Sequence, residues 1–222
     1  MNIEKNYLRI RKEIPEYVTI VLACKKRTPE EIKILINAGA TDIGENYVQE
    51  AELVYNSLKD LNKKVKWHMI GNLQKNKINK ALPIFDVIQT IDTPEKAINI
   101  DKRVKSSGKE VIKVLIEVNI GKESKKHGIP PEYDGIENLA KLISDLKHLR
   151  LEGLMTMGPI TNNPEDSRLY FRKTKEIFDR IKSLNLPNVN MKTLSMGMSN
   201  TYKVAIEEGS NMVRLGTIIF ES

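Results

Sequence analysis

Eight short runs rich in Val, Ile and Leu recur along the chain, separated by stretches with helical spacing. They are VTIVLA (18–23), TDIG (41–44), VKWHMI (65–70), FDVIQT (85–90), VIKVLIEVNI (111–120), LRLEGLM (149–155), MKTLSM (191–196) and NMVRLG (211–216). Several lack polar alternation, as expected of parallel strands buried on both faces. Strands alternating with helices imply right-handed crossovers and a parallel sheet. Eight such units within 222 residues predict a closed (β/α)8 TIM-type barrel of the α/β class rather than an open doubly wound sheet. No Gly/Ser linker or low-complexity tract divides the chain, so residues 1–222 read as one domain.

The helix signals agree with this pattern. Ile3, Tyr7, Ile10 and Ile14 have the spacing of an amphipathic first helix. Thr28-Pro29-Glu30-Glu31 combines a capping threonine, a proline at the first helical position and a glutamate that completes a capping box. Thr93-Pro94-Glu95 and Asn163-Pro164-Glu165 repeat the motif after other candidate strands. Tyr170, Thr174, Ile177, Phe178, Ile181 and Leu184 form one apolar stripe over 165–184.

Composition narrows the function classes. No apolar run approaches the roughly 20 residues of a membrane span, and MNIEKNYLRIRKEI is too charged for a secretory signal. The single cysteine, Cys24, excludes an intrachain disulfide framework and suits a reducing compartment. The expectation is a cytoplasmic monomer. The formal net charge is +7, from 36 Lys and Arg against 29 Asp and Glu. These lysines are scattered over polar helix faces, as a solvated surface requires, and nucleic-acid binding is not the expected role. His68, His127 and His148 are far apart and show no metal-ligand spacing.

Polar residues that fit poorly into buried strands gather at the strands' C-terminal ends. These are Lys25-Lys26, Glu45-Asn46, His68 before Gly71-Asn72, Asn119, Met155-Thr156, Ser195 leading to Gly197 and Ser199, and Arg214, Gly216 and Thr217. In a parallel barrel those ends share one face, where barrel active sites are built. The loops SMGMSN (195–200) and RLGT (214–217) follow the seventh and eighth strands, the usual phosphate cradle of the fold. Amides near Met198 and Ser199 are expected at a helix start, which favours anions. A lysine ending an apolar strand can be partly desolvated, freeing its amine to attack an aldehyde. Lys25 and Lys26 are expected to point to opposite sides of the strand, and spacing alone does not choose between them.

The blocks IGENYVQE (43–50), WHMIGNLQKNK (67–77), QTID (89–92), EVNIGKESKKHG (117–128), GLMTMGP (153–159), LSMGMS (194–199) and MVRLGTIIF (212–220) resemble the pyridoxal phosphate homeostasis protein family, whose members are similar to the barrel domain of alanine racemase. The resemblance runs from about residue 18 to 220. It implies that pyridoxal 5'-phosphate (PLP) is held as a Schiff base on the lysine after the first strand. Anchoring Cys24-Lys25-Lys26-Arg27-Thr28-Pro29 on Ala23 and Pro29 places that lysine at Lys26, with Lys25 where the family has serine. The resemblance further implies phosphate contacts from Ser199, Gly216 and Thr217, an arginine at the pyridine nitrogen in Arg214, and cofactor-adjacent roles for Asn46 and His68.

An arginine cannot accept the ring proton, so the cofactor would be a weak electron sink. Alanine racemase-like enzymes add a second domain and a tyrosine base, and this chain has two residues after Phe220. The expected function is therefore a carrier and buffer in vitamin B6 homeostasis, with apo-enzymes as recipients. Slow racemase-like catalysis on the same lysine is the alternative. An RNA- or protein-binding barrel without cofactor is a third reading.

Overall fold

The computed structural model describes residues 2–159 and 161–221. Its eight strands are β1 (Thr19–Ala23), β2 (Asp42–Glu45), β3 (Lys66–Met69), β4 (Val87–Ile91), β5 (Ile112–Glu117), β6 (Leu149–Met155), β7 (Val189–Ser195) and β8 (Met212–Leu215). They pair in sequence order, all parallel, and β8 closes on β1. The helices are α1 (Ile3–Glu13), α2 (Pro29–Asn37), α3 (Val48–Leu58), α4 (Ile78–Ala81), α5 (Pro94–Val104), α6 (Tyr133–Ser144), α7 (Arg168–Ser183), α8 (Tyr202–Glu207) and α9 (Thr217–Phe220). The fold is a (β/α)8 TIM barrel, as the alternation of apolar runs predicts. No helix among the described residues is long and apolar enough to cross a membrane.

The start signals act as read. Thr28 accepts from the Glu31 amide while the Glu31 side chain accepts from the Thr28 amide, a complete capping box on α2. Thr93 caps α5 by accepting from the Lys96 amide, without the reciprocal bond. Ile3, Tyr7, Ile10 and Ile14 all bury, so the apolar face of α1 is covered by the molecule itself. On α7 the stripe differs in detail. Phe171 is fully buried, whereas Tyr170 and Leu184 only pack against the core's edge; α7 proper starts at Arg168 after a 3-10 turn over Pro164–Ser167 and ends at Ser183.

Most of the core lies between the barrel and its helices, around Trp67, Phe85, Phe171 and Phe220. A smaller cluster joins Val87, Leu115 and Met155. The fifth strand is shorter than the apolar run 111–120. After Glu117 the chain leaves the barrel, and the Asn119 amide ties down the following loop through the Glu123 and Lys126 carbonyls and the Glu123 amide. One polar side chain thus ends a strand whose sequence could have continued.

Candidate functional site

The β1 exit differs from a simple strand end. The Cys24 amide donates to the Gly44 carbonyl at 2.9 Å, and the Arg27 amide donates to the Cys24 carbonyl at 2.9 Å, closing a tight turn. Lys25 and Lys26 lie in this turn and are exposed, so neither is a strand residue and strand alternation does not separate them. The Lys25 ammonium sits 5.3 Å from the centroid of the Tyr47 ring. Lys26 adopts φ +61°, a left-handed conformation uncommon outside glycine. Its backbone amide donates to Glu50 Oε2 at 3.1 Å, so α3 helps to hold the turn. The expected desolvation of Lys26 is not found. What distinguishes the residue is its held, left-handed backbone.

Two buried groups lie beside this turn. Burial pushes the Cys24 thiol well up, with the Glu45 charge adding to the effect, so the thiol is inert and packs as a small apolar group. Burial, reinforced by the charge of Glu50, pushes the Glu45 carboxyl up to about 8, and the Asn46 amide offsets only part of this. Across the mouth at the end of β5, burial and the neighbouring Asp92 push Glu117 up to about 7, against the pull of Lys96 and Arg214. Glu117 lines a cleft of about 430 Å³ with Asn46, Gly71, Asn72, Lys77 and His127 among its walls. Glu45 stands among the strand-end polar residues of the sequence but Glu117 is not singled out there, although an acid inside an apolar strand is itself a signal of special burial.

The last two loops converge. Ser199 Oγ accepts from the Ile218 amide at 3.2 Å and, more loosely, from the Gly216 amide at 3.4 Å. Two amide donors at the start of α9 therefore point at one oxygen, the arrangement an anion needs. The donors are not those expected from the sequence. α8 begins only at Tyr202, and the Met198 amide is taken by Thr201 Oγ. Thr217 is exposed at the first position of α9. A side chain at Gly216 would lie 3.3 Å from the Ala23 carbonyl oxygen, so this loop packs closely on the β1 exit that leads to Lys26.

Arg214 is 5% exposed. Its Nη1 donates to the Ser195 carbonyl at 2.9 Å and to Ser195 Oγ at 2.7 Å, and Nη2 donates to the Thr156 carbonyl at 2.7 Å. Three of a guanidinium's five N–H groups are thereby engaged. Burial pulls its pKa down to about 10, against the opposing field of Glu117, so it remains charged at neutral pH. His68 is also buried. Its Nε2 donates to Asp42 Oδ1 at 2.8 Å and its Nδ1 meets Gln89 Nε2 at 3.0 Å. Asn46 is half-buried in the cleft wall, and a Cβ at Gly71 would come within 2.3 Å of its carbonyl oxygen.

This set fits a phosphorylated aldehyde with a basic ring nitrogen. An amine stands in a held turn, two amides converge on the Ser199 hydroxyl as they would on an anion's oxygen, and a buried cation has N–H groups beyond the three engaged ones.

Comparison with known proteins agrees. The alanine racemase N-terminal domain family matches residues 1–222. The chain is 41% identical over 198 residues to a pyridoxal phosphate homeostasis protein of Aquifex aeolicus, covering 89% of this chain and 84% of that one. It is 38% identical over 232 residues to its counterpart in Haemophilus influenzae, covering 99% and 95%. Its fold matches that of PipY of Synechococcus elongatus with PLP bound, at TM-score 0.89 and 27% identity, over 99% of this chain and 100% of that one. Alanine racemase of Clostridium difficile shares the fold at TM-score 0.76 and 18% identity, and the match spans 55% of that longer chain. By sequence over nearly its whole length and by fold, the chain belongs to the pyridoxal phosphate homeostasis proteins of the alanine racemase N-terminal domain family.

Proposed function

We propose that this protein holds PLP as a Schiff base on Lys26 and serves in the cytoplasm as a carrier and buffer of the cofactor. The observation that carries the reading is the meeting of three features at one end of the barrel: the left-handed Lys26 turn, the amides converging on Ser199, and Arg214. When bound, PLP supplies an aldehyde carbon that amines can exchange on. Lys26 would hold that carbon. Ser199, the Gly216 and Ile218 amides and Thr217 would hold the phosphate, with Asn46 on the cleft side. Arg214 would turn its remaining N–H groups to the ring nitrogen and, having no acceptor, keep that nitrogen unprotonated. The exposed Lys26 turn supports transfer over turnover, because little around it excludes water or positions a substrate.

The test is direct. PLP-loaded protein mixed with an apo-enzyme is expected to restore that enzyme's activity even when a scavenger of free PLP is present, as the monomer passes its cargo on. Amino-acid turnover by the loaded protein at ordinary enzyme rates would overturn the carrier reading. One observation favours the second reading, weak racemase-like catalysis. Glu117 lines the cleft with a pKa of about 7, suited to a general base. Exchange of the α-proton in deuterated water that Lys26→Ala and Glu117→Gln both abolish would establish it.

A further inference from the structure

Behind Arg214 the barrel interior contains a polar chain that the function proposed above leaves unused. Arg214 Nη1 donates to Ser195 Oγ at 2.7 Å, and Ser195 Oγ donates to Gln89 Oε1 at 2.7 Å. Gln89 Nε2 meets His68 Nδ1 at 3.0 Å, and His68 Nε2 meets Asp42 Oδ1 at 2.8 Å. Thr41 Oγ1 donates to the other Asp42 oxygen at 2.7 Å. The five main members are all buried, none more than 5% exposed. They come from β8, β7, β4, β3 and β2, and β4 and β7 are not neighbours in the sheet. The Gln89–Ser195 link therefore crosses the barrel's inside.

The two ends, with Gln89 turned as it stands in the structure, set the protons between them. A guanidinium can only donate, and an ionised carboxylate can only accept. Burial pushes the Asp42 carboxyl up, but its interactions with His68, Thr41 and Lys66 together outweigh it and hold the pKa below the usual carboxylate range. Given those ends, Ser195 must pass its own hydrogen to Gln89. Gln89 must turn its oxygen to Ser195 and its NH2 to His68, and His68 must carry its hydrogen on Nε2. For a neutral His68, turning Gln89 over would set its oxygen against the bare Nδ1, two acceptors facing each other in a buried site. Arg214 has no direct ion-pair partner among the described residues. Glu117 acts on it only through its field, and Lys66 acts on Asp42 in the same way.

We propose that Asp42 is the counter-ion of Arg214, joined to it across the barrel by one directed relay, and that Gln89 and His68 are positioning residues for the arginine. His68, whose two ring nitrogens are both engaged, then acts through Arg214 rather than by touching a ligand. The relay is a property of the cofactor-free protein. Only its consequence for PLP rests on the function proposed above.

The experiment is nitrogen NMR on labelled, cofactor-free protein, followed by PLP titration of the same samples. Wild type is expected to show His68 protonated at Nε2 and bare at Nδ1. Gln89→Glu keeps the shape but removes the donor to His68, and should place a proton on Nδ1. Asp42→Asn keeps an acceptor but removes the charge, and should shift the Arg214 side-chain resonances and speed their exchange with water at least tenfold. Glu152→Gln, which removes a buried carboxylate paired with Lys192 at 3.0 Å, should leave Arg214 unmoved. In the PLP arm both relay variants should bind about tenfold more weakly, with attachment still at Lys26. A His68 proton on Nδ1 in wild type, or an Arg214 signal unmoved by Asp42→Asn, would overturn the relay. Relay signals as expected in a wild type that takes no PLP would leave the relay standing and remove the cofactor reading instead.

Discussion

Glu45→Gln is expected to raise the thermal stability of the protein strongly at pH 8 and hardly at all near pH 4.5. Glu45 is 1% exposed, neither of its oxygens has a hydrogen-bond partner of good geometry, and its pKa is raised from 4.5 to about 8. Between those values the folded state keeps a proton that the unfolded chain has released. Stability therefore falls as pH rises from about 4.5 and levels off above about 8. At roughly 1.4 kcal/mol per tenfold change in proton affinity, the loss by pH 8 is on the order of 4 kcal/mol. Glutamine has no proton to lose, so the variant should escape the fall. Glu117 contributes in the same direction up to its value of about 7, and Glu45→Gln combined with Glu117→Gln should flatten most of the slope. Denaturant unfolding at several pH values measures this. An unchanged slope in Glu45→Gln would mean that the carboxyl is ionised in the fold.

Gly153→Ala is expected to yield no folded protein. An added Cβ would lie 1.7 Å from the Thr193 carbonyl oxygen and 2.7 Å from its carbon. Both atoms are backbone, so no rotamer change can relieve the overlap. Gly153 sits where the register of β6 slips against both neighbours, between Val114 and Leu115 on one side and between Leu151 and Gly153 on the other. Moving Thr193 away would break the Leu154–Leu194 and Met155–Ser195 pairings. Those pairings hold Ser195 and lead to Thr156, the two partners of Arg214. The cost exceeds what a marginally stable domain of about 5–15 kcal/mol can absorb. Gly135→Ala is the contrast. It lies in α6, its Cβ would meet only Ile129 Cδ1 at 3.7 Å, and it should gain about 0.5–1 kcal/mol from helix propensity. Soluble yield and circular dichroism of the two variants separate the cases. A folded Gly153→Ala protein would show that the β6–β7 approach is looser than described.

The barrel was legible because its information is local. Unbroken Val and Ile runs, cap-Pro-Glu starts and the Ile3–Ile14 stripe each declare one element, and eight elements in order leave little topological choice. Strand limits were less so, since β5 ends through an Asn119 side chain that takes its partners from a later loop. The site was legible in part. Strand-end polar residues marked the barrel face on which the proposed site lies, but the β1 exit reads as strand until Glu50, 24 residues on, is seen to hold the Lys26 amide. The relay was not legible at all. Gln89 in an apolar strand signals a buried polar group, yet its partner Ser195 lies 106 residues away, and only barrel closure brings them together.

The central claim is attachment at Lys26, and the direct measurement is borohydride reduction of PLP-treated protein followed by peptide mass mapping. Wild type and Lys25→Ala should both carry a pyridoxyl group on the Lys26 peptide, and Lys26→Ala should carry none there. A group found on Lys25, or no group on either lysine, would contradict the account.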